Sequence, residues 1–207
     1  MGTKEKILDK ALELFNERGI EYVGVRELAA ILNIRVSNIS YYFPTKDDLV
    51  NELSLQLGEL NSKVMKIDPD VTLLAFLRML KQVFAHHVQY RCLLLSVVHI
   101  MEQNKVIAKR YQQVQSQRTD VIRGNLESLV QRGYLALPQE NDLDYLVSTI
   151  SLIARFWISE AVISFRHLST AQQMHHYLSI IVKMLAPYAT QPAKPEIELF
   201  SRQLECP

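Results

Sequence analysis

Two cysteines in 207 residues, Cys92 and Cys206, are too few and too isolated for a disulfide framework or a zinc site. Cys92 lies in an apolar helical run and reads as core, and Cys206 falls in the C-terminal tail. Six glycines and seven prolines give the chain little punctuation. No segment alternates polar and apolar residues for long enough to form a sheet. The apolar runs near 93–101 and 146–154 are interrupted and fall short of the roughly 20 residues that span a bilayer. No signal segment opens the sequence, because Met1-Gly2-Thr3-Lys4 leads straight into an amphipathic helix. Lys6 stands where a myristoylation motif needs Ser or Thr. These absences predict a soluble, cytoplasmic protein with no membrane partner.

Catalytic signatures are missing as well. The sequence has no glycine-rich phosphate loop, no HExxH, no GxSxG and no Cys/His set at metal spacing. Its histidines are His86, His87, His99, His167, His175 and His176. Adjacent histidines on a helix point about 100 degrees apart, so neither pair is a ready chelate. No catalytic residue, metal ligand or cofactor is assigned, and an enzyme is not expected. Net charge is +1, and the first 48 residues hold seven basic and eight acidic side chains. Composition alone therefore does not point to nucleic acid.

What the chain does carry is helical periodicity, and the reading is all-α with about nine helices. The first spans about 3–18, with Ile7, Leu8, Ala11, Leu12 and Phe15 as its apolar stripe and Gly19 as its stop. Residues 25–32 form a short amphipathic helix with Gly24 at its N-cap and Glu27 in its first turn. Asn33 follows, a residue that accepts the left-handed conformation ending a helix. Ile34 plugs the turn, and 36–43 form a second short helix whose Ile39 and Phe43 face inward. Ser37, Asn38, Ser40 and Tyr41 are left facing outward, with Tyr42 at the margin. Small polar residues and tyrosine on an exposed short helix suit hydrogen bonds to base edges and phosphates. Pro44 stops this helix. Thr45-Lys46-Asp47-Asp48 then has the spacing of a capping box, starting a helix at Thr45 whose Lys46 is placed for a phosphate. Two helices at a tight turn, followed by a capped third, is the arrangement that puts one helix into a major groove.

Residues 3–50 resemble the N-terminal DNA-binding domain of the TetR family of bacterial transcription regulators. The family's motif, Leu-Tyr-x-His/Tyr-Phe followed by Lys and acidic residues, stands here as Ile39-Ser40-Tyr41-Tyr42-Phe43 and then Lys46-Asp47-Asp48. Two departures stand out. Ser40 replaces the family's phosphate-contacting tyrosine, and Arg35 replaces the Ser or Thr that usually caps the recognition helix. Arg35 has the reach for a phosphate, and Arg26 matches a position that contacts DNA in the family. The DNA-binding set is thus Arg26, Arg35, Val36, Ser37, Asn38, Ser40, Tyr41, Tyr42, Thr45 and Lys46. Tyr42 has an alternative role, closing the small core against the first helix.

Beyond Pro69 further helices are expected over 71–90, 91–103, 105–132, 143–166 and 170–188, after a linking helix from 45 to about 66. Residues 142–165 are apolar on nearly all faces, so a partner subunit is the natural cover, the alternative being that this helix centres the chain's own C-terminal core. The resemblance implies a homodimer through about 143–188. Three regions follow: a helix-turn-helix domain over 1–48, an effector-binding and dimerisation domain over 49–188, and a tail over 189–207. The resemblance also implies a small-molecule effector. The matching region, 77–111, is mostly apolar with His87, Tyr90, His99 and Glu102 scattered through it, which suits an apolar or amphipathic molecule. The expected function is a regulator, more often a repressor, released from a pseudo-palindromic operator by that effector. A regulator controlled by a protein partner, with no small-molecule pocket, is the alternative.

Overall fold

The computed structural model describes residues 2–205, and the Cys206 assignment lies outside them. Among the described residues the chain forms eleven α-helices, one 3-10 helix and no strand. The helices are α1 (Thr3–Arg18), α2 (Val25–Ile31), α3 (Val36–Tyr42), α4 (Lys46–Val64), α5 (Leu73–Gln89) and α6 (Arg91–Leu95). They continue as α7 (Val97–Gln103), α8 (Lys105–Gln131), α9 (Asp142–Ser164), α10 (Thr170–Leu185) and α11 (Lys194–Glu205). A 3-10 turn over Ala186–Tyr188 closes α10. The all-α reading is borne out.

Two differences from the sequence reading raise the helix count. The expected helix over 91–103 breaks at Ser96, where φ −95° and ψ 12° leave the helical region. Hydrogen bonding runs almost unbroken through it, from Ser96 N–H to the Cys92 oxygen and from Ile100 N–H to the Ser96 oxygen. Apolar periodicity survives such a bend, so it is not visible in the pattern. The second difference is the C-terminal tail, which contains a 12-residue helix. Pro195 falls in its first turn, where a missing N–H costs nothing. Phe200 is fully buried, Glu196 accepts a hydrogen bond from Leu74 N–H at 2.7 Å, and Lys81 Nζ donates to the Gln203 oxygen at 3.1 Å. Three prolines leave open whether the tail packs on the body or stays mobile; one apolar anchor and these bonds pack it.

By contacts the chain divides into two compact units, Met1–Leu60 with Gln89–Gln112, and Asn61–Val88 with Gln113–Pro207. The first holds α1 to α3, most of α4, α6, α7 and the beginning of α8. Helices of seven residues, such as α2 and α3, do not persist alone in water. They persist here because Leu28, Ala29, Ile39 and Phe43 are buried with Ile7, Leu8, Ala11, Leu14 and Phe15 of α1. Leu14 rather than Leu12 is the buried member of the α1 stripe, and Leu12 is half-buried. Asn16 joins this core to α6: its Nδ2 donates to the Gln89 oxygen at 2.8 Å and its Oδ1 accepts from Cys92 N–H at 3.0 Å. Arg110 of α8 donates to Asn51 Oδ1 at 2.8 Å and to Ser54 Oγ at 3.2 Å, both on α4.

The second unit is built from α5, the rest of α8, α9, α10, the 3-10 turn and α11. Its core gathers Phe76, Leu77, Leu80 and Phe84 of α5 with Leu146, Ile150, Trp157 and Ala161 of α9 and Leu178, Ile181 and Leu185 of α10. A single antiparallel bridge pairs Leu135 with Ala189. Asp142–Ser164 is long and apolar enough, by length and composition, to cross a membrane, although a core helix passes the same test. This corrects the expectation that no segment reaches that size, which counted only uninterrupted apolar runs. Asp144, Arg155 and Glu160 interrupt the run without shortening the helix.

Candidate nucleic-acid interface

The turn between α2 and α3 is set by Asn33. Its φ is +52°, the only positive φ at a non-glycine residue among those described. Ile34 N–H bonds back to the Ala29 oxygen at 3.0 Å and Asn33 N–H to the Ala30 oxygen at 3.1 Å. This pair of bonds satisfies two carbonyls at the end of α2 and is the Schellman stop. The chain then enters α3 through Arg35, extended at φ −74° and ψ 146°, with no side-chain cap. Arg35 is exposed, as is Arg26 at the start of α2, and neither has a carboxylate partner among the described residues. Glu27 is the one acid between Arg26 and Lys46, and Arg18 pairs with it at 2.5 Å. Local charge is therefore positive in a domain that is nearly neutral.

Helix α3 presents two faces. Ile39 has no exposure, and Phe43, just after the helix, is also buried. Opposite them Val36, Ser37, Asn38, Ser40 and Tyr41 are exposed, Tyr41 at 81%. Tyr42 is 40% exposed and lies edge-on to Tyr41 with ring centroids 5.0 Å apart. Phe43, with Lys4 Nζ 5.7 Å from its ring centre, closes the core that Tyr42 was an alternative candidate to close. Val36 through Tyr42 thus form an outward surface about two turns long, on a helix anchored by its other side.

Thr45 caps α4. Its Oγ1 accepts from Asp48 N–H at 3.2 Å, and Asp48 Oδ2 accepts from Thr45 N–H at 2.9 Å. The reciprocal bonds are those of a capping box with Asp in the acidic place. Lys46, expected at a phosphate, also has partners within the chain. Its Nζ donates to the Ile20 oxygen at 2.8 Å and lies 3.4 Å from the oxygens of Glu21 and Val23. The ammonium offered to a phosphate is occupied with the loop after α1. Asn16 was not singled out by sequence either. An asparagine inside a helix carries no local signal, and only the fold brings Gln89 and Cys92 to it.

The polar residues scattered through 77–111 fall in different surroundings. Tyr90 belongs to the first unit, where its hydroxyl donates to Gln56 Oε1 at 3.2 Å. His99 and Glu102 are exposed there. Cys92, buried in the same unit, has its thiol pushed up to about 12 by loss of solvent, so it is inert at neutral pH. His87 lies in the second unit at 3% exposure. Burial, then the charges of Arg118 and His86, press its pKa down to about 3.

Comparison with known proteins agrees with this geometry. The model of the family described as bacterial regulatory proteins of the tetR family matches residues 7–53, and that of the TetR bacterial transcriptional repressors matches residues 58–197. The chain is 38% identical over 66 residues to the "Probable HTH-type transcriptional regulator YttP" of Bacillus subtilis, a stretch covering 32% of each protein. A TetR-family transcriptional regulator from Marinobacter aquaeolei superposes with a TM-score of 0.89 at 20% identity, covering 99% of both chains. A transcriptional regulator from Saccharomonospora viridis, solved in complex with choline, superposes at 0.67 with 18% identity, covering 86% of this chain and 94% of that one. The chain therefore belongs to the TetR family of bacterial transcription regulators and is a helix-turn-helix DNA-binding protein rather than an enzyme.

Proposed function

We propose that the protein is a homodimeric repressor that reads a pseudo-palindromic operator through α3 and leaves it when a small molecule enters the second unit. The observation carrying this reading is the two-sidedness of α3, with Ile39 buried and Ser37, Asn38 and Tyr41 turned to solvent. Asn38 and Tyr41 are the base-edge candidates. Arg26, Arg35, Ser37, Ser40, Tyr42 and Thr45 are phosphate candidates around them, and Val36 is suited to a thymine methyl. Lys46 acts first as the anchor of α4 on the loop after α1. The site of action is the cytoplasm, where the operator is.

Dimerisation through α9 and α10 is supported by what α9 leaves uncovered. Only 33% of its most apolar window is buried within the chain. Tyr145, Leu152 and Ile163 are exposed, and spacings of 7 and 11 put them on one side of the helix. A two-fold pair of reading heads requires half-sites about one helical turn apart. By proposed role, residues 1–48 read DNA and 49–188 bind the effector and the second subunit, a division that differs from the two compact units, since 49–60 and 89–112 belong to the first. An effector that binds DNA-free dimers better shifts the population away from the operator, and DNA must weaken effector binding by the same factor.

The test is selection of bound fragments from genomic DNA, followed by footprinting. A protected pseudo-palindrome whose binding is lost with Asn38→Ala plus Tyr41→Ala supports the reading. Protection unchanged by that pair assigns recognition to another surface. Release of the selected fragment by a small molecule is the second arm, and a filled core that takes up none would favour control by a protein partner.

A further inference from the structure

We propose that Asn125 and Gly124 of α8, with His86 of α5, are positioning residues for operator binding. They hold the end of α4, so that the two reading heads of a dimer meet DNA at one spacing. Resting on the homodimeric operator reading above, this role adds what keeps those heads in register. α4 follows α3 directly, with residues 46–60 in the first unit and 61–64 in the second. Residues 65–72 then lead to α5 at Leu73. A linker of that length with a solvated backbone would leave the end of α4 loose.

The linker is instead gripped by α8. Asn125 is 1% exposed. Its Nδ2 donates to the Lys66 oxygen at 2.9 Å and to the Val121 oxygen at 2.8 Å, and its Oδ1 accepts from Asp68 N–H at 3.2 Å. Both amide hydrogens and the carbonyl are thereby used. Ile67, between the two held residues, lies against Gly124. A Cβ at Gly124 would stand 3.0 Å from Ile67 Cδ1 and 3.1 Å from Cγ1 and Cγ2. Glycine is unfavourable inside a helix of 27 residues, and this close approach is what requires it. Arg132, two turns further along α8, pairs with Asp70 at 2.7 Å, and Val71 is buried.

The last turn of α4 is itself held by α5. His86 Nδ1 lies 2.9 Å from Asn61 Oδ1, and Gln82 Nε2 lies 3.1 Å from His86 Nε2. A neutral imidazole that donates at Nδ1 and accepts at Nε2 satisfies both contacts. Asn61 and His86 are buried, so water does not compete for them. All of these contacts lie within the second unit. Their consequence falls at the other end of the helix. Nineteen residues of α-helix form a rod about 28 Å long. Turning such a rod by about 10° at its exit moves its start by about 5 Å, more than a hydrogen bond to a base edge tolerates. That start carries Lys46, bonded to the loop after α1, so what moves α4 moves the reading surface.

The test uses the full-length protein and anisotropy. Affinity is measured for the selected operator, for one half-site, and for operators with one base pair inserted or deleted between half-sites. One base pair turns a half-site by about 35°. The parent should lose about tenfold or more on either change. Asn125→Ala leaves the Lys66 carbonyl and the Asp68 N–H without their partner, and Gly124→Leu fills the place of Ile67. Either variant should reduce the spacing penalty to about threefold or less and weaken the full operator, with half-site binding within about twofold of the parent. Hydrogen exchange over 65–72 should rise in both. Leu135→Ala, a core deletion in the turn after α8, is the control for lost stability and should keep the parent's spacing penalty. Four results each overturn the positioning role: the parent's penalty in both clamp variants, a reduced penalty in Leu135→Ala, half-site affinity changed more than about threefold by the clamp variants, or linker exchange as in the parent. A parent indifferent to spacing removes the two-headed reading, and the positioning role with it.

Discussion

Lys46 Nζ donates to the carbonyl oxygen of Ile20 at 2.8 Å, pinning the first turn of α4 to the loop after α1. The lysine expected from sequence to meet a phosphate is thus also a strut of the reading head. Lys46→Ala should lower stability by about 1 kcal/mol, discounted from the usual value of a charged hydrogen bond because the group is partly solvated. Lys46→Arg, with a planar fork in place of a point donor, should restore only part of it. Urea denaturation of the dimer measures this. A fall in operator affinity at unchanged stability would return Lys46 to the phosphate set.

Tyr41 and Arg35 separate reading from stability in the opposite sense. Both are exposed and neither supports the core. Tyr41→Ala should change stability by less than about 0.5 kcal/mol and weaken the selected operator about tenfold, with a smaller effect on unrelated DNA. Arg35→Ala should weaken both kinds of DNA alike and lower the slope of log affinity against log salt by about 1. Anisotropy across a salt series distinguishes the two.

The backbone at Asn33 offers a test of the turn itself. With φ at +52° a β-branched residue is strained there, whereas glycine is not. Asn33→Val should cost about 1–2 kcal/mol, and Asn33→Gly should be neutral to slightly stabilising. Thermal unfolding of the three proteins ranks them, and a harmless valine would contradict the left-handed stop.

These local features explain how much could be read beforehand. The cap at Thr45, the left-handed residue at Asn33 and the inward pair Ile39 and Phe43 are determined within a few residues, so sequence shows them. The role of Lys46 depends on carbonyls 23 to 26 residues away, and that of Asn16 on partners more than 70 residues away. No periodicity encodes such pairings. The order of the C-terminal tail stays open in the sequence because three prolines weigh against one phenylalanine, although a proline in a first turn does not oppose a helix.

His87 predicts how stability depends on pH. Folded, it stays neutral down to about pH 3, whereas in the unfolded chain it binds a proton near 6.5. Between those values the unfolded state holds more protons, so stability rises with pH and is complete above about 6.5. Below that the folding equilibrium should weaken by up to about tenfold per pH unit from this group. His86, also shifted downward by burial, adds in the same direction. His87→Gln should flatten the slope between about pH 4 and 6 relative to the parent. An unchanged slope would place the lost stability in other groups.

Leu152 and Ile163 test the proposed subunit contact through α9. They are 58% and 80% exposed on a helix that is otherwise apolar, and neither supports the chain's own core. Glutamate at both positions should therefore spare helical content and the melting of the isolated subunit while placing opposed charges across the two-fold interface. Sedimentation should show a monomer at concentrations where the parent is a dimer. Loss of the second reading head removes its effective concentration, so affinity for the full operator should fall roughly 100-fold while a half-site is bound as before. If the double variant still sediments as the parent dimer, α9 is not the interface, and its apolar side requires another cover.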